Sequence, residues 1–155
     1  MTAREQFDRV VEELQRRFSG LKVRVDRDVH QQVQASANIP PQDGLDFGFH
    51  FTLQGDELHL QVGGSFWVEW FPCEDTAVTD EFIDAVAGII SGRYRIVEYS
   101  IAEAPVKAQL QRPAAGGQWH KVATWSSLGA LIPWRRTQSI IQNTGTGPMS
   151  SSRGA

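Results

Sequence analysis

Two histidines and a glutamate, His50, His59 and Glu69, fall within an aromatic-rich stretch, GFHFTLQGDELHLQVGGSFWVEWFPCED, residues 48–75. Two imidazoles and a carboxylate can ligate a divalent metal, or the carboxylate can orient an imidazole as a general base. No HExxH, CxxC or nucleophile elbow fixes such a geometry in this chain. The plainer reading is a polar sheet face on which His59 and Glu69 pair across two strands for modest stability. Cys73 precedes Glu74 and Asp75, acids that raise a thiol's pKa, so it is a poor nucleophile. Trp134, Arg135, Arg136 and Lys121 have the chemistry to grip a phosphate or a base. A net charge of −3 argues against nucleic acid as the partner, and an alternating edge strand explains the segment more simply. GSFW and TGTGP lack the lysine and following helix of a phosphate loop. His120, Ser126 and Ser127 form no recognisable nucleophile arrangement.

Whether His50, His59 and Glu69 gather depends on strand register. Phe47, Phe49, Phe51 and Leu53 alternate with polar residues, as do Leu58, Leu60 and Val62, then Phe66, Val68 and Trp70. This predicts a three-stranded antiparallel meander over residues 47–71, ended by Pro72. A two-residue turn at Gly55 and Asp56 pairs Thr52 with His59 and His50 with Gln61. At Gly63, Gly64 and Ser65 a three-residue turn pairs Gln61 with Trp67 and His59 with Glu69. A two-residue turn there would invert the apolar pattern, because strand side chains alternate faces. The core face then holds Phe49, Phe51, Leu58, Leu60, Phe66, Val68 and Trp70. The opposite face holds His50, Gln61, His59, Glu69, Trp67 and Phe71.

The elements around the meander follow from periodicity. Phe7, Val10, Val11, Leu14 and Phe18 recur at helical spacing, with a Thr2/Glu5 capping box and Gly20 as a stop, predicting a helix over about 3–18. Leu21, Val23 and Val25 alternate as a strand, and Val29, Val33, Ala35 and Ala37 continue more weakly, until NIPPQDG breaks the pattern. A second helix over about 80–91 has Thr79 as N-cap, acids in its first turns, and Phe82, Val86, Ile89 and Ile90 on one side. Further strands are expected at 94–101, 106–111, 119–125 and 134–141. Two helices among runs of strands make an α+β fold, an antiparallel sheet of six to eight strands packed against both helices. Residues 1–143 are expected to be a single domain, and 144–155, small and polar, a disordered tail.

Composition bounds the function. The chain has 155 residues, 41% hydrophobic and 21% charged, which favours one folded core over disorder. A single cysteine excludes an intrachain disulfide and a cysteine-based zinc cluster. No apolar run is long enough to cross a bilayer, and the charged N-terminus does not read as a signal peptide; a cytoplasmic protein is the expectation. With five Trp, two Tyr and eight Phe, aromatics are abundant for so small a core. Trp and Tyr give large contact area with few rotatable bonds, so they suit recognition surfaces as well as cores. These features read as a non-enzymatic module that binds another protein through its aromatic sheet face, with no cofactor. In size and composition alone it is similar to bacterial immunity proteins and secretion chaperones. The alternative is a small enzyme or metal-binding protein using His50, His59 and Glu69.

Overall fold

A computed structural model describes residues 1–28 and 32–145. Helix α1, Ala3–Arg17, opens with the capping box: the Thr2 hydroxyl accepts from the Glu5 amide, and the Glu5 carboxylate accepts from the Thr2 amide. Its apolar stripe, Phe7, Val10, Val11 and Leu14, is buried. The chain turns at Gly20, whose φ of +86° suits a residue without a Cβ.

Five strands follow: β1 Arg24–Asp26, β2 Val33–Ile39, β3 Phe49–Gln54, β4 Glu57–Val62 and β5 Phe66–Trp70. They form one antiparallel sheet in chain order. Leu21 and Val23 precede β1, a shorter strand than the alternation predicts; Val29 lies outside the described residues. The meander has the expected register throughout. Leu53 opposes Leu58, Leu60 opposes Val68, and Val62 opposes Phe66 across the three-residue turn. Its inward face meets both helices, with Phe51 tilted against Phe7 and edge-on to Phe82.

Helix α2, Thr76–Ile90, begins a turn earlier than expected. Asp75, not Thr79, is its N-cap and accepts from the Ala77 amide at 2.9 Å. Thr79 is buried inside the helix, and its hydroxyl donates to the Cys73 carbonyl at 2.8 Å. Asp80 and Asp84 therefore lie beyond the first turn. They face α1 instead, pairing with Arg9 and Arg17.

The remaining strands make a second sheet rather than extending the first. Strands β6 Arg95–Ile101, β7 Ala104–Pro113, β8 Trp119–Ser126 and β9 Thr137–Ile141 have the order β8-β7-β6-β9. A 15-residue helix separates β5 from β6. The later strands then pair with one another, while β5 packs against β7 and β8 without pairing. Ile96, Ala108 and Leu110 join the common core, flanked by half-buried Ala123, Trp125 and Ile141. The expected last strand is shorter than 134–141, and Leu128–Leu131 before it forms a single 3-10 turn.

Asn143 closes the fold. Its side chain donates to the carbonyls of Gly44 and Ile90 and accepts from the Asp46 amide. Thr144 also bonds Asp46 through its amide and hydroxyl. Of the expected tail, residues 146–155 lie outside the described residues. Among the described residues, no helix is long and apolar enough to cross a membrane.

Candidate functional site

Both helices pack on the inward face of the first sheet, away from the opposite face of β3, β4 and β5. Trp67, 48% exposed, and Phe71, 63% exposed, stand on that side with exposed Glu69. Their neighbour Trp70 points inward, 8% exposed, and meets Phe82 edge-on at 5.2 Å between ring centroids. His50 and Gln61 are half-buried and directly opposed. Beside them a hollow of about 290 Å³ runs along the end of β2 and β3, between Asn38, Pro41, Gly48 and Gly63. A second hollow, of about 490 Å³, lies at the other end of the face, between Gln34, Gln54, Glu57 and Phe71.

His59 departs from expectation. It opposes Glu69 in register, yet its Nε2 bonds the Glu57 carboxylate at 2.8 Å. Glu57 lies two residues earlier on the same strand, and a period of two places both side chains on one face. Trp67 covers the imidazole at 5.5 Å between centroids with 33° between planes. Only 8% of His59 stays exposed, and its Nδ1 is buried without a partner among the described residues. The cross-strand His59–Glu69 pair therefore does not form. Nor does the trio gather: among the described residues, no group of three or more His, Cys, Asp or Glu side chains is placed to hold a metal ion.

Cys73 is fully buried. Burial first, and then the neighbouring Asp56, push its thiol up to about 12, so the thiolate is scarce near neutral pH. Trp134 and Arg135 are exposed, while the Arg136 guanidinium donates to the Ala130 carbonyl. Lys121 is on β8, opposite Gln111, and is exposed. Of the other tryptophans, Trp125 borders the core and Trp119 lies beneath Arg95, 4.0 Å from guanidinium to ring.

Sequence reasoning missed two features. Leu128 and Leu131 are strongly exposed next to Ile132 and Trp134, forming an apolar edge before β9. The signal was the run LGALIPW, apolar without a strand or helix period and interrupted by Gly129 and Pro133. The second is a hollow between the α2–β6 turn and the β7–β8 hairpin, lined by Arg93, Tyr94, Arg112 and His120. These residues are scattered along the chain, so no local motif announces it.

Comparison with protein-family models, curated proteins and solved structures finds no match to this chain. The reading of its function therefore rests on the geometry above.

Proposed function

We propose that this protein is a non-enzymatic binding module that engages another protein through the outer face of its first sheet. The observation that carries this reading is the exposure of Trp67 and Phe71 on the sheet face opposite the one against which both helices pack. Apolar surface left open on a small domain and rimmed by polar groups marks interaction sites. Here the rim is His50, Gln61 and Glu69. Trp67 is held by its tilted contact with the His59 ring and by a strand backbone paired to β4. A pre-ordered indole loses little conformational entropy on binding, which is why tryptophans dominate the energetics of many interfaces. Against the metal alternative, His59 bonds Glu57 rather than Glu69, and among the described residues no group of three His, Cys, Asp or Glu side chains is placed to hold an ion.

The test is capture from a lysate of the native host by immobilised wild type, Trp67→Ala and Trp134→Ala. A protein held by wild type and by Trp134→Ala but lost with Trp67→Ala supports the reading. A central aromatic anchor is worth about 2 kcal/mol or more, so purified partner should bind Trp67→Ala about 30-fold more weakly. A partner whose affinity ignores Trp67 would overturn the assignment of this face.

A further inference from the structure

The hollow beside Tyr94 is formed by the second sheet and the turn before it and shares no residue with the Trp67 face. It has a volume of about 390 Å³ and is lined by Arg93, Tyr94, Arg112, Pro113, Ala114 and His120. Three chain segments converge on it. Arg93 and Tyr94 come from the turn after α2, Arg112 from β7 and His120 from β8. Arg112 and His120 are direct partners across the β7–β8 ladder, so their Cβ atoms stand roughly 5 Å apart on one face.

These side chains are placed differently from four arginines in the first part of the chain. Arg9, Arg16, Arg17 and Arg27 all pair with carboxylates. Among the described residues no ion pair involves Arg93, Arg112 or His120. The adjoining depression shares Tyr94, Arg112 and His120 with this hollow and adds Glu81, Asp84 and Lys121; of its two acids, Asp84 is held by Arg17 at 3.0 Å.

Tyr94 supplies a fixed wall. Its ring lies on Gly88, where an added Cβ would stand 2.5 Å away, so only glycine lets the ring sit there. The Tyr94 amide also bonds the Gly88 carbonyl at 2.9 Å. Tyr94 is 8% exposed, and Arg93 stands over its ring at 5.1 Å. The site therefore gathers two arginines and a histidine against the Tyr94 ring around one small volume.

From this convergence of unpaired Arg93, Arg112 and His120 around the rigid Tyr94, we propose a binding site for the dianionic phosphoryl group of a small phosphate monoester. A carboxylate has one charge and two oxygens, which a single arginine satisfies in a bidentate pair. A phosphoryl group has three terminal oxygens and up to two charges, and it uses donors arriving from several directions.

The experiment is amide-resonance titration of the full chain with phenyl phosphate, and with benzoate as the singly charged analogue, at an ionic strength of about 0.1 M. Phenyl phosphate should shift Arg93, Tyr94, Arg112 and His120 with a Kd of about 1 mM or tighter, and benzoate should bind about tenfold more weakly. Arg112→Gln should weaken phenyl phosphate by about tenfold or more, the loss expected for a charge-assisted bond. Arg112 is exposed, so an unchanged denaturation midpoint will show that this variant folds. Arg135→Gln, outside the site, should bind as wild type does. No shifts up to about 10 mM, where only contacts weaker than any specific site remain, would overturn the proposal. So would equal affinity for benzoate, or wild-type affinity in Arg112→Gln.

Discussion

Trp67→Ala and Trp70→Ala remove the same side chain from positions three apart on one strand and its end, facing opposite ways. A tryptophan side chain carries on the order of 200 Å² of surface. Trp70 is 8% exposed and Phe82 meets it edge-on, so about 180 Å² leaves water on folding. At about 25 cal/mol per Å² that is worth about 4.5 kcal/mol, within the range of about 3–5 measured for emptying a core aromatic site. Trp67 is 48% exposed, so about 100 Å² is covered, chiefly against His59, for a ceiling of about 2.5 kcal/mol. The unfolded chain also hides part of that area, which lowers the expectation to about 1–2 kcal/mol. An outward-facing strand residue alone implied a loss within roughly 1 kcal/mol; the contact with His59 raises it. The assay is urea denaturation followed by far-UV circular dichroism, with the m-value checked for constancy. For an m-value of about 2 kcal/mol per M, Trp70→Ala should lower the midpoint by about 2 M and Trp67→Ala by less than about 1 M. Equal losses would show that both faces of β5 are buried, and the proposed docking face would be refuted.

His59 has one nitrogen bonded to Glu57 and the other buried without a partner among the described residues. Glu57→Ala should thus cost about 1–3 kcal/mol by orphaning the second nitrogen, whereas His59→Leu should be close to neutral, as thermal melts of both will show. The hydrogen bonds from Arg16 and then Arg17 hold the Glu13 carboxylate down at about 2, below its ordinary 4.5. A depressed carboxylate stabilises above its unfolded pKa and loses that contribution as pH falls through the folded one. The small stability gap between wild type and Glu13→Gln should therefore be constant above pH 4.5 and close on the way down to about 2, measured by urea midpoints across that window. Cys73, buried and raised to about 12, should resist alkylation at pH 8 in the native protein and react at the rate of unfolding. Asn143→Ala removes three hydrogen bonds that tie the end of the second sheet to Gly44, Asp46 and Ile90, and should cost about 2–4 kcal/mol in a denaturant titration.

Local physics made much of this fold legible in the sequence. Thr2 and Glu5 announce α1 because a capping box is satisfied within four residues. The register of β3, β4 and β5 follows from alternation and turn length alone, because a slip of one residue would turn Phe66 and Trp70 out of the core. The same parity assigned Trp67, Glu69 and Phe71 to the outer face. Cap choice was less determinate: Asp75 and Thr79 are both capping residue types, and the burial of Thr79 against Cys73 decided between them. Side-chain partnership also needed the third dimension. Register placed His59 opposite Glu69, yet Glu57 on its own strand and the indole of Trp67 took the imidazole instead, since several neighbours on a sheet face compete for one ring. The division into two sheets, the lock made by Asn143, and the meeting of Arg93, Tyr94, Arg112 and His120 depend on contacts between residues far apart in the chain. Periodicity reports which way a side chain faces within its own element; which other element it then meets is decided only when the elements pack.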